Sequence, residues 1–340
     1  MSQRRHSDGR DGAVGLAPRR HIVFSPFNAE PIAPGRSRSP GTVTSGTHID
    51  VEDLVALRAR SRQIGRQRTA ESTVSAGARS AFRGRGVDFE TSRPYEIGDD
   101  VRAIDWRVTA RRGTAHTKVF KEERERPVLL LVDVSAAMTF GTRRMFKSVL
   151  AARAAALLAW GTVDSGDRVG GLVVNDTHIE RLAPRSRSEG ALIFCTALAR
   201  HQTREYGSAP ATTKFNEALI HLAQHTTAGG AAFVLSDFRT LDEDGIHALT
   251  RLGQRSELIM GVVYDPLEAA IPKAGDYLFS FAGQRRVLRI RNEQERDTYQ
   301  ARFSAHLGQL ARVSTAASSR LLTLNTGDAG AEAAPRALLR

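Results

Sequence analysis

The sequence predicts an α/β protein, a largely parallel sheet with helices on both faces, preceded by a small β-rich N-terminal unit. Three observations carry this. Val128–Val134, Ala231–Ser236 and Leu258–Tyr264 are continuous apolar runs of strand length, which is how a strand reads when both of its faces are covered. Stretches with apolar residues at helical spacing separate those runs, and such alternation implies right-handed crossovers between parallel strands. Between Ser80 and Arg126 the pattern breaks instead into short alternating segments around Gly84, Gly86, Gly98 and Gly113, as expected of a small unit with tight turns.

Residues 1–47 are rich in Arg, Ser, Gly and Pro with little periodic apolar content. Such a segment cannot offset its ordering entropy, so a disordered basic tail is expected there. Residues 48–79 read as a helical lead-in, with Asp50 capping a helix from Val51 to Arg58. Residues 80–126 form the β-rich unit. In it, Gly98-Asp99-Asp100 reads as a turn whose carboxylates cap backbone N–H groups or pair with Arg102 and Arg107. Asp105-Trp106 reads as its anchor, with Trp106 buried.

The main domain is expected over 127–326. After its first strand, Phe146, Val149, Leu150, Ala154, Leu157 and Leu158 recur at helical spacing as far as Gly161. Arg168–Val174 reads as a second strand, with Thr177–Leu182 returning as its hairpin partner. Helices follow at Ser188–Ala199 and Lys214–Gln224, then the Ala231–Ser236 strand, a helix at Asp242–Leu252 and the Leu258–Tyr264 strand. Tyr277–Phe281 and Arg286–Ile290 suit a hairpin, followed by a helix from Asn292 to Leu310 and a last strand at Leu321–Leu324. Residues 327–340 are expected to be a flexible tail.

Composition narrows the function classes. The chain has 340 residues, 41% hydrophobic and 25% charged, and no apolar run approaches the roughly 20 residues of a membrane-spanning helix. The basic N-terminus is followed by no apolar stretch of secretory-signal type. Cys195 is the single cysteine, so no disulfide forms within the chain and a reducing, cytoplasmic setting is expected. The net charge is +12, with 44 Arg against 5 Lys. The basic residues between Arg58 and Arg126 are interleaved with Glu90, Glu96, Asp99, Asp105 and Glu122, and no aromatic-interleaved platform accompanies them, which argues against nucleic acid as the partner.

In an open α/β sheet, ligands bind beyond the carboxyl ends of the strands, where the strand order reverses. Three loops expected there carry polar residues: Asp133-Val134-Ser135-Ala136-Ala137, the loop with Thr212 and Thr213, and Ser236-Asp237. Carboxylates and hydroxyls gathered at one edge make a hard oxygen site suited to Mg²⁺ or Mn²⁺. Asp265 ends another strand at the same edge and is a candidate partner contact beside Asp133 and Asp237. The bland alternative is that Asp133 and Ser135 only close local strand and loop hydrogen bonds.

These residues are where the chain resembles the von Willebrand factor A fold, a Rossmann-like sheet whose metal-ion-dependent adhesion site combines Asp-x-Ser-x-Ser with a Thr and an Asp from separate loops. The resemblance implies Asp133, Ser135, Thr213 and Asp237 as metal ligands, with Ala137 standing where the second Ser belongs. A wider set of motifs is similar to a bacterial family, the fifty-eighth of the domains of unknown function. They are Gly84-Arg85-Gly86-Val87-Asp88-Phe89, Arg93-Pro94-Tyr95, Gly98-Asp99-Asp100-Val101-Arg102, Ile104-Asp105-Trp106, Glu122-Glu123-Arg124-Glu125 and Asp265-Pro266-Leu267-Glu268. That resemblance implies a von Willebrand A-like domain often encoded beside a MoxR-type AAA+ ATPase, acting as its adaptor or co-chaperone toward a client protein.

Enzyme signatures are incomplete. His201, His221 and His225 form no His-Glu-x-x-His arrangement, Gly229-Gly230 leads into a strand without a Walker Gly-Lys-Ser/Thr, and Ser135 lacks a glycine-flanked elbow. A non-catalytic binding module is therefore the leading expectation. The alternatives are a metal-dependent hydrolase using Asp133 and Asp237, and a basic nucleic-acid-associated protein.

Overall fold

A computed structural model describes residues 22–24, 46–48, 50–75, 88–97, 99–121, 125–202, 214–270, 275–281 and 284–328. Three strands and two helices precede the main sheet: β1 (Ile22–Phe24), α1 (Val51–Ser75), β2 (Asp88–Pro94), α2 (Trp106–Arg112) and β3 (His116–Lys121). The main region runs β4 (Pro127–Asp133), α3 (Lys147–Asp164), β5 (Arg168–Val174), β6 (Ile179–Arg185), α4 (Arg187–His201), α5 (Phe215–His225), β7 (Ala231–Ser236), α6 (Glu243–Arg255) and β8 (Glu257–Tyr264). It closes with α7 (Pro266–Ala269), β9 (Gly275–Phe281), β10 (Gln284–Ile290), α8 (Glu293–Ala316) and β11 (Arg320–Asn325). Among the described residues there are eight α-helices and a six-stranded sheet of order β11-β8-β7-β4-β5-β6, parallel except for β6, which pairs antiparallel with β5.

Side-chain alternation on the strands divides the core in two. Val128, Leu130 and Val132 of β4 join Leu54 and Leu57 of α1, Leu157 and Trp160 of α3 and Phe194 of α4 on one face. Leu129 and Leu131 join Phe215 and Leu219 of α5, Leu249 and Leu252 of α6 and Leu310 of α8 on the other. Both faces are covered, which is why β4, β7 and β8 read as unbroken apolar runs. At Gly171 the chain has φ +139° and a Cβ there would lie 1.9 Å from the Leu130 carbonyl oxygen, so only glycine lets β5 pass β4 this closely.

The lead-in helix is longer than the sequence suggests and belongs to the core. α1 packs on the alanine-rich α3: Trp160 Nε1 donates to the Leu54 carbonyl oxygen at 3.0 Å, and Arg58 and Arg62 both reach Asp164. The expectation of a wholly disordered tail needs correction. Ile22–Phe24 pairs in parallel with Tyr277–Phe279 of β9, whose other edge carries β10, because this β-branched and aromatic triplet has a free strand to add to. Most of the tail expected at 1–47, and of the C-terminal one at 327–340, lies outside the described residues.

The small unit holds an antiparallel β2–β3 pair, as expected, but the connection between these strands contains a 3₁₀ turn (Val101–Ala103) and α2. Asp99 accepts from the Glu96 amide and from Arg93 Nη2 at 2.6 Å, Asp100 caps the 3₁₀ turn, and Asp105 caps α2 through the Arg107 and Val108 amides. Trp106 is not the buried anchor expected of it. It is 70% exposed, because capping by Asp105 puts it at the first position of a helix whose outer side faces solvent.

Candidate functional site at the sheet edge

β4 pairs with β5 on one side and β7 on the other, so the strand order reverses there, and the carboxyl ends of β4 and β7 form the crevice where α/β sheets place ligands. The chain folds its polar loop residues into this crevice. Asp133, the last residue of β4, is buried; its Oδ1 accepts from the Ser135 amide at 3.0 Å and its Oδ2 from Ser236 Oγ at 2.7 Å. Ser236 Oγ in turn accepts from the Phe238 amide at 3.1 Å. That bond helps hold Phe238 at φ +55°, a conformation rarely adopted by aromatic residues, while its ring packs edge-on against Phe215 at 5.6 Å.

Burial, and after it the nearby charge of Asp237, push the Asp133 carboxyl up to about 6, with hydrogen bonds from Ser236 and Ser135 pulling the other way. Ser135 is buried too, and its Oγ has no well-formed hydrogen bond among the described residues. Asp176, in the turn between β5 and β6, accepts from the Ala136 amide at 2.8 Å through Oδ2, while its buried Oδ1 is unpartnered among the described residues. The sequence reading missed Asp176; its signal was the polar Asn175-Asp176-Thr177 turn directly after a buried strand.

Asp237 stands differently. Lys147, the first residue of α3, is 1% exposed, and its Nζ lies 2.7 Å from Asp237 Oδ2 and 3.0 Å from Glu268 Oε1. Burial alone would lower the lysine pKa, but Asp237 and Glu268 outweigh it and raise it above the ordinary value. Arg239 Nη2 meets Glu268 Oε1 at 3.1 Å, the Arg239 amide donates to Asp237 Oδ1 at 3.0 Å, and His306 Nε2 of α8 sits 2.9 Å from the Asp237 carbonyl oxygen. Neither Lys147 nor Glu268 was singled out as a site residue from the sequence.

Asp265, expected as a partner contact, faces inward. It is fully buried, caps α7 in a reciprocal box with Glu268, and accepts from Thr142 Oγ1 at 2.6 Å, the Thr142 amide at 2.9 Å and Thr326 Oγ1 at 2.5 Å. Its oxygens are engaged in tying β8, α7 and the loop before α3 together, which is why it faces the interior rather than the rim. Thr213 lies outside the described residues.

The structure thus brings Asp133, Ser135 and Asp237 to one edge, yet they do not fit the four-ligand cation site that the resemblance implies. Both Asp133 oxygens are engaged, Ala137 offers no oxygen, and the Asp237 carboxylate is held by an ammonium. Among the described residues no group of three or more His, Cys, Asp or Glu side chains is arranged to hold a metal ion. Cys195 is buried, with its thiol pushed up to about 12 by burial, and supplies no nucleophile.

Residues 91–308 match the family described as "Protein of unknown function DUF58". The chain belongs to this family. The matched part of the DUF58 chain runs from β2 through the sheet-edge site into α8. Uncharacterized proteins of Mycobacterium bovis and Mycobacterium tuberculosis are 26% identical to it over 294 residues, covering 85% of this chain and 92% of each relative. Among solved structures, the conserved hypothetical protein BatB from Bacteroides thetaiotaomicron is 17% identical with a TM-score of 0.41, over 63% of this chain and 97% of that one. An aerotolerance-related membrane protein from Bacteroides fragilis is 16% identical with a TM-score of 0.39, over 63% and 96%. No helix among the described residues of this DUF58 chain is long and apolar enough to cross a membrane.

Proposed function

We propose that this DUF58 chain is a non-catalytic protein-binding module of von Willebrand A-like type, a cytoplasmic adaptor or co-chaperone that engages a MoxR-type AAA+ ATPase and its client. The observation that carries the binding role is the connection between β2 and β3. Within ten residues it exposes Ile97 fully, Val101 at 62% and Trp106 at 70%. Arg102, Arg107 and Arg111, all exposed, make no ion pair among the described residues, because the neighbouring carboxylates are committed to caps and to Arg93. Exposed Trp beside unpaired Arg is the composition of interface hot spots. It suits an apolar, acidic protein surface; the Glu96 and Asp100 side chains on the same rim would be repelled by a uniformly anionic one.

The sheet edge supports the same reading. Asp237 and Glu268 are neutralised within the fold by Lys147 and Arg239, which ties these side chains into a rigid platform. The test is co-purification of the full chain with the AAA+ subunit, alongside hydrolase assays with Mg²⁺ and Mn²⁺. Capture of the ATPase with no turnover is expected. Turnover abolished by Asp133→Ala would replace this reading with that of a metal-dependent hydrolase.

A further inference from the structure

We propose that Lys147 is the resident cation of the sheet edge: its ammonium takes the place at Asp237 that a divalent metal would take, and the edge works without metal. This holds whether or not the chain binds an ATPase, since it rests on the site alone. Two observations independent of one another point to it. Ala137 removes one hydroxyl oxygen from the Asp-x-Ser-x-Ser pattern. Separately, Lys147 Nζ sits within hydrogen-bonding distance of both Asp237 and Glu268, with all three side chains 10% exposed or less.

The charges close on themselves. Lys147 and Arg239 face Asp237 and Glu268, two positive groups against two negative ones. The ammonium also lies 6.0 Å from the centre of the Phe140 ring. A divalent ion at Asp237 would stand beside a buried ammonium in a medium that screens poorly, so it would have to displace the lysine rather than join it. The short lysine–carboxylate contacts also fix geometry: they tie the start of α3 to the end of β7 and to α7, a positioning task that a bound metal performs elsewhere by coordination.

The experiment uses the full chain, with Mg²⁺ and Mn²⁺ as probes, calorimetric titration to read uptake and thermal unfolding to read stabilisation. The native protein is expected to take up neither ion at millimolar concentration, and its melting temperature to stay put. Ala137→Ser, which restores the missing hydroxyl and keeps Lys147, is expected to behave the same. Lys147→Met, which keeps the stem and removes the charge, should melt lower and be raised again by Mn²⁺, with Asp237→Asn abolishing the rescue. Uptake by the native chain or by Ala137→Ser that Asp237→Asn abolishes would overturn the proposal, as would a folded Lys147→Met indifferent to metal. Should Lys147→Met fail to fold, the first two proteins decide the question by themselves.

Discussion

Lys147 and Asp237 lie 2.7 Å apart at the carboxyl edge of the sheet, both buried, although 90 positions separate them in the chain. Removing one member of such a pair leaves an uncompensated charge in the interior, at a typical cost of about 3–5 kcal/mol. Lys147→Ala should therefore lower the unfolding free energy by that amount in urea titrations. Lys147→Met combined with Asp237→Leu should cost clearly less than the sum of the single changes, because charge and counter-charge leave together. Additive losses would show that the two groups are not coupled.

Asp133 gives the fold a pH dependence of definite sign. Its folded-state pKa is raised from 3.8 to about 6. Between roughly pH 4 and 6 the folded protein thus holds a proton that the unfolded chain has released, so stability falls as pH rises through this window. Above it the full cost is present, on the order of 3 kcal/mol at most from the size of the shift. Asp133→Asn should flatten the dependence. Loss of the Ser236 hydrogen bond offsets part of the gain, leaving the variant about 1 kcal/mol more stable near pH 7.5. Native unfolding curves that coincide at pH 4.5 and 6.5 would contradict this assignment.

Much of the architecture was legible because it is driven by burial that repeats along the chain. The Ala231–Ser236 strand falls where its apolar run lies, and Asp133, Ser135 and Asp237 announce themselves by following such runs. Lys147 did not. A lysine at the start of a helix reads as a solvated charge, and what buries it arrives 90 and 121 positions later in Asp237 and Glu268. One hint existed: Phe146-Lys147-Ser148-Val149 opens an alanine-rich helix with no acidic residue three or four positions on, in a chain that otherwise prefers Arg. Trp106 failed for the opposite reason, since an aromatic residue in a small unit reads as core until the Asp105 cap fixes which way the helix turns.

The strand at Ile22–Phe24 predicts that the N-terminal segment contributes to stability. Deleting residues 1–30 removes the parallel partner of β9 and leaves that strand with one unpaired edge. A loss of about 1–2 kcal/mol, or a fall in melting temperature of roughly 2–6 °C, is expected for a chain of this size. A melting curve that does not move would show that the segment adds nothing.

The last prediction concerns the β2–β3 connection, whose exposed apolar residues are distant in role from the buried polar network at the sheet edge. Trp106 stands at the first turn of α2 with Asp105 capping behind it, so Trp106→Ala leaves the cap intact and removes surface that the fold does not use. Melting temperature and circular dichroism should not change. If a partner seats its apolar surface on this rim, a central Trp lost from the interface typically costs 2 kcal/mol or more, roughly a 30-fold fall in affinity. Arg107→Glu should act differently, slowing association and flattening or reversing its salt dependence, because an exposed rim charge steers encounter more than it holds the complex. Measuring association and dissociation rates of both variants against the AAA+ subunit separates the two effects. Unchanged rates for both folded variants would remove this connection from the interface and leave the Asp133 edge to carry the binding.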